Sequence, residues 1–155
     1  MHMPKIALAV TGALTLAFGY AVSAQQAAPL PKVTVYKTST CGCCKLWVDH
    51  MKAAGFTVEA MDVSASGVRS VSKAAGLKEE DTSCHTAKIG EYTVEGHVPA
   101  ADIKRMLKEK PAIAGLSAPG MPQGSPGMEQ GMKEPYDVIA FKKRSEEHTS
   151  ELQSR

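Results

Sequence analysis

Apolar and polar side chains alternate most clearly at Val33-Thr34-Val35-Tyr36, which predicts a first β-strand. The period then changes. Between Cys43 and Ala54, Trp47, Met51 and Ala54 recur at four- and three-residue steps, which puts them on one face of a helix that Gly55 can close. The run "FTVEAMDV", residues 56–63, predicts a second strand. Val68, Val71 and Ala75 mark a short second helix ended by Gly76. Thr86 to Ile89 and Tyr92 to Glu95 flank Gly90-Glu91, the pattern of a β-hairpin with a two-residue turn. Pro99 suits the first turn of a third helix, on which Ile103, Met106 and Leu107 share a face and which Pro111 ends. Trp47, Met51 and Met106 fall on helix faces and read as core.

The element order is that of a thioredoxin-like α/β sandwich, a small mixed sheet with flanking helices. Its first two strands should be parallel and joined by a right-handed helical crossover. After Pro111 the pattern dissolves. "AGLSAPGMPQGSPGMEQGMKEP" is rich in Gly, Pro and Met, and predicts neither a helix nor a central strand. "YDVIAF", residues 136–141, reads as one last strand at a sheet edge.

The two ends of the 155-residue chain do not follow this pattern. One Lys in Met1 to Lys5, an uncharged, mostly small or apolar run from Ile6 to Val22, and Val22-Ser23-Ala24 together read as a signal peptide over residues 1–24. The alternative is a membrane anchor, but the run is near the minimum spanning length and no basic stop follows it. Cleavage after Ala24 would put the protein in the periplasm, an oxidising compartment, with no membrane attachment. Residues 25–31 form a Pro/Ala linker and residues 32–143 one small domain. "RSEEHTSELQSR", residues 144–155, reads as an in-frame translation of a sequencing adapter, or else as a polar disordered tail, so His148 is set aside with it. The formal net charge is +2 with no basic block, and nucleic acid, which needs a clustered basic face, is not an expected partner. Aromatic residues are 5% of the chain, so the core must come from Val, Ile, Leu, Met and Ala.

The chemistry is concentrated in "TSTCGCCKLW", residues 38–47, which holds three of the four cysteines. Cys41 and Cys44 form a C-x-x-C pair, as in dithiol redox loops, while Cys41 and Cys43 form a C-x-C pair suited to a soft metal ion. The expected strand–helix junction favours thiolates through free amides and the helix dipole, which serves either chemistry. Cys84 and His85, in the link before the hairpin, are expected to face this loop. A dithiol enzyme needs one attacking and one resolving cysteine, whereas a soft-metal site gains from further thiolates. Thiolate and thioether ligands favour Cu(I), and mixed Cys/His sets suit zinc. Two structural disulfides in an exported domain are a third possibility. Met121, Met128 and Met132, at spacings of seven and four, lie outside any predicted helix. All three are therefore candidate thioether ligands, with loop packing as the plain alternative. His97 reads as a structural histidine, and His50 as solvent-facing or satisfied by backbone.

The stretches "YKTSTCGCCKLWVDHMKAAGF", "SCHTAKIGEYTVEGHVPAADIKRML" and "GLSAPGMPQGSPGME" resemble the family catalogued as domain of unknown function 411, over Val33 to Phe141. The resemblance implies an exported bacterial metal-binding protein of copper-resistance settings, with a thioredoxin-like fold. It implies a site at Cys41, Cys43, Cys44, Cys84 and His85, with Met121 and Met128 in the tail motif. The family pattern breaks off after Phe141. The expected function is a Cu(I) chaperone or buffer rather than an enzyme. Its partners would be a metal ion and another periplasmic copper-handling protein. The alternatives are a thiol–disulfide oxidoreductase with Cys41 as nucleophile and Cys44 as resolving thiol, and a structural zinc site.

Overall fold

A computed structural model describes residues 29–142 of the chain. The expected signal peptide, the first part of the linker and residues 143–155 lie outside the described residues. Among the described residues no helix is long and apolar enough to cross a membrane.

The elements follow in the order β1 (Val33–Lys37), α1 (Gly42–Ala53), β2 (Val58–Asp62), α2 (Ala65–Ala74), β3 (His85–Ile89), β4 (Tyr92–Gly96), α3 (Ala100–Glu109), β5 (Gly115–Ala118) and β6 (Ile139–Phe141). They form a mixed α/β fold with one six-stranded sheet in the order β2-β1-β3-β4-β5-β6. β1 and β2 are parallel, as a helical crossover requires, with Val33 opposite Val58. β3 lies antiparallel on the other side of β1 and turns through Gly90-Glu91 into β4. Alternation along β3 decides what each face carries. Ala87 and Ile89 join Val33, Val35 and Val94 under Trp47, Val48 and Met51 of α1 and Ile103 and Met106 of α3. Thr86 points the other way and meets Ser72 of α2 at 3.0 Å. The sheet is thus covered by α1 and α3 on one face and by α2 on the other. α2 starts at an N-capping Ser64 whose hydroxyl accepts Gly67 N–H at 3.1 Å.

One expectation about the segment after Pro111 is overturned. Gly115–Ala118 is an inner strand, parallel to β4 on one side and antiparallel to β6 on the other. A Gly-initiated run of four residues gives almost no alternation to read. Yet β4 would otherwise be an edge with unpaired amides, and β5 supplies their partners. The final strand is an edge, as expected, and only Ile139–Phe141 of 136–141 pairs. At the opposite edge, β2 is shorter than the predicted 56–63, because Phe56 leaves the sheet to pack in the core.

Candidate metal centre

The sulfurs gather where β1 hands over to α1. Cys41 is the N-cap of α1, with extended backbone, and its Sγ lies 3.3 Å from Cys44 N. The first helical amides lack intrahelical acceptors and point toward this loop, which stabilises negative charge on sulfur. Cys41 and Cys44 are joined as a disulfide, while Cys43 and Cys84 are free thiols. Cys43 Sγ is 3.5 Å from Cys41 Sγ, and Cys84 Sγ is 3.5 Å from Cys44 Sγ. All four sulfurs lie within 4.8 Å of one another. The C-x-C-C loop and the distant Cys84 therefore make one cluster, with a free thiol at each end of the bridged pair.

Two imidazoles border Cys84. His85 Nδ1 is 3.4 Å from its Sγ and His97 Nε2 is 3.1 Å from it. His97 Nδ1 is 2.8 Å from Pro126 O, and a carbonyl can only accept, so Nδ1 carries the proton. The lone pair of Nε2 is therefore aimed at the sulfur, an arrangement in which a backbone carbonyl fixes the tautomer of a ligating imidazole. Cys84, His85 and His97 form a second set of ligand atoms within 4.8 Å. His85 is fully buried against Trp47, ring centroids 4.5 Å apart, and its Nε2 has no hydrogen-bond partner. Burial, reinforced by the neighbouring His97, pushes the His85 pKa down to about 3. Burial also lowers His97, against the opposing pull of the Pro126 carbonyl. Both rings are neutral at pH 7, the form that binds metal. Burial, followed by the charge of Cys43, pushes the Cys84 thiol up to about 12, so it keeps its proton at neutral pH until a metal cation displaces it.

The depressed His85 pKa has a consequence for the metal-free protein. Its stabilising contribution is complete above the unfolded value of 6.5 and is lost as the pH falls toward about 3. Relative to His85→Gln, which does not titrate, the wild type should lose about 2 kcal/mol of unfolding free energy between pH 7.5 and 5. Urea titrations of both metal-free proteins check this, and parallel pH dependences would refute it.

The Gly/Pro/Met-rich segment lies over the start of α1. Ser125, Pro126 and Gly127 are buried. Gly127 has φ +88°, and a Cβ there would sit 2.8 Å from Cys43 O and 2.9 Å from Trp47 N, so only glycine fits. Met128 is half-buried and lines an open groove of about 620 Å³ together with Cys43, Leu46 and Gln123. Met121 is 53% exposed and follows Gly120, whose backbone bridges to Ser83 beside Cys84. Met132 is 83% exposed. The structure thus gathers Cys41, Cys43, Cys44 and Cys84 into one set, joins His85 to it only through Cys84, sets Met128 in the groove that Cys43 also lines, and leaves Met121 on the surface.

His97 is the site residue that the sequence reading passed over. It does make the structural hydrogen bond expected of it, through Nδ1, but its other nitrogen faces Cys84. The available signal was its place immediately after β4, the hairpin partner of the strand that starts at His85. His50 is satisfied by backbone as expected, accepting Ala100 N–H at 3.1 Å. Trp47 is fully buried and donates to Val98 O at 2.9 Å.

Fold and site together define a mixed α/β protein with a clustered thiol–imidazole site for a soft or borderline metal ion. The chain belongs to the family described as "Protein of unknown function, DUF411", whose model matches residues 82–128. It is similar to the solved structure of copper resistance protein CopG, form 1, with 40% identity and a TM-score of 0.65, over 72% of this chain and 87% of that one. Form 2 of the same protein gives 43% identity and a TM-score of 0.67, over 76% and 92% of the two chains. No curated protein matches the sequence. The relatives and the Cys/His cluster support copper-related metal binding.

Proposed function

We propose that this is a periplasmic soft-metal-binding protein that takes Cu(I) as its cargo, as a chaperone or buffer in copper resistance. The observation that carries the reading is the cluster of four sulfurs, mutually within 4.8 Å, bordered by two neutral imidazoles. A thiolate-rich set favours Cu(I) over harder ions, and Cys41, Cys44 and Cys84 are the proposed ligands, with Cys43 or His85 completing the set. Met128, which lines the open groove together with Cys43, would pass the ion on as a neutral thioether, and Met121 would extend that path at the surface. The strand order β2-β1-β3-β4, with the cysteine loop between β1 and α1, supports a thioredoxin-like core.

The Cys41–Cys44 disulfide favours a second reading, thiol–disulfide exchange with Cys41 as nucleophile and Cys44 as resolving thiol. The two chemistries compete for the same sulfurs. Loading needs two electrons and two protons from a thiol reductant to open the bridge, after which the metal displaces the protons. Protein purified anaerobically in the reduced state and analysed for its elements distinguishes the readings. About stoichiometric or greater copper, with no zinc, is expected. Zinc would instead indicate a structural site, and a metal-free protein that catalyses disulfide exchange would indicate an oxidoreductase.

A further inference from the structure

Cys84 reaches the other sulfurs from a link that has no regular structure of its own between the 3-10 turn Glu79–Asp81 and β3. What holds it is a carboxylate. Glu95 of β4 is fully buried, on the sheet face opposite α1. Its Oε1 accepts Ser83 N–H at 2.8 Å and its Oε2 accepts the Thr86 hydroxyl at 2.6 Å. Thr86 in turn meets Ser72 Oγ at 3.0 Å, and Ser72 donates to Val68 O at 3.0 Å, which ties the network to α2. Ser83 is gripped on its other sides as well. Its hydroxyl donates to Gly120 O, and a Cβ on Gly96 would sit 2.6 Å from its Cβ, so the link presses directly on the sheet. A buried carboxylate is costly and persists where its hydrogen bonds fix something.

We infer that Glu95 is a positioning residue for the metal centre: by clamping the Ser83 amide, its carboxylate sets where Cys84 Sγ stands relative to Cys44 and His97. The inference deepens the reading of Cys84 as a ligand and rests on it for its effect on affinity. Its geometric core concerns the thiol alone. Glu95→Gln preserves the clamp: its carbonyl accepts Ser83 N–H and its amide donates to Thr86, which can then donate to Ser72. Glu95→Met has a similar length and offers the Ser83 N–H only a weak thioether acceptor. Thr86→Val releases one carboxylate oxygen and leaves Glu95 in place.

Two measurements test the inference. The first is the alkylation rate of Cys84 in the oxidised, Cys41–Cys44-bridged protein, read by mass spectrometry in a Cys43→Ser background with iodoacetamide. Glu95→Met should raise the rate about tenfold or more, and Glu95→Gln should restore the slow wild-type rate. The second is Cu(I) affinity of the reduced protein against a chromophoric chelator. Glu95→Met should weaken it by about 10- to 100-fold, as loss of an outer partner of a ligand does, with little further loss in a Cys84→Ser background. If Glu95→Met does not fold, Thr86→Val carries the test, with about a threefold change in each readout. An unchanged alkylation rate in the variant that folds overturns the positioning role, whatever the affinity does. Faster alkylation with copper affinity insensitive to Cys84→Ser supports the positioning role and instead removes Cys84 from the ligand set.

Discussion

Replacing Cys84 by Ser should lower the Cu(I) affinity of the reduced protein by on the order of 100-fold or more, beyond what loss of an outer partner usually costs. Cys84 is the sulfur on which the two candidate ligand sets converge. It lies 3.5 Å from Cys44 Sγ and within 3.4 Å of an imidazole nitrogen of both His85 and His97. Its removal leaves the three cysteines of one loop, of which Cys41 and Cys44 can close on each other. A serine hydroxyl keeps the volume but is a hard, weak ligand for Cu(I). The same change should leave the fold standing, because Cys84 is half-buried and outside the hydrophobic cluster. Competition for Cu(I) against a chromophoric chelator, with circular dichroism as the control for folding, measures this. Affinity equal to the wild type would remove Cys84 as a ligand and favour the exchange reading of the C-x-x-C pair.

Trp47→Ala should have the largest effect on stability, about 3–5 kcal/mol in chemical denaturation. Trp47 is fully buried among β1, β3 and α3, and the substitution leaves a cavity that the packed sheet cannot close. It also removes the donor to Val98 O and the ring that walls off His85 from the rest of the core. For a small domain of ordinary stability this is a large part of the total. Trp47→Phe keeps most of the apolar volume and loses the indole donor, so it should cost about 1–3 kcal/mol. A Trp47→Ala protein within 1 kcal/mol of the wild type would contradict the packing described above.

The legible parts of the fold were those with a strong local period. Val33–Lys37 alternates, and Trp47 and Met51 recur at helical spacing. Gly90-Glu91 sits between two β-rich runs, so β1, α1 and the hairpin were found within a residue or two. β5 was not, because four residues beginning with glycine carry no period. What makes them a strand is the unpaired edge of β4 and the antiparallel β6 that arrives twenty residues later. Long-range pairing of this kind leaves no trace in a local window.

The site divides in the same way. Residue types alone supplied the candidate ligands: three cysteines in one loop, a Cys-His pair further on, and thioethers in a segment that predicts no helix. Thiolates and thioethers are soft donors wherever they end up in space, so composition points to a soft or borderline ion, with dithiol exchange as the other use of the same sulfurs. Which of these groups meet depends on how the sheet and helices pack. That packing brought Cys84 to Cys44, and it turned His97 on the Pro126 carbonyl so that Nε2 faces sulfur. It also buried Glu95 behind Ser83 and set Met128 in the groove that Cys43 also lines while leaving Met121 at the surface. The reason is physical. Ligand chemistry belongs to single side chains, whereas coordination needs atoms within a few ångströms, and here the candidate atoms come from the start of α1, the link into β3, β3 itself, the residue after β4 and the C-terminal segment. Their distances are set by how the sheet pairs.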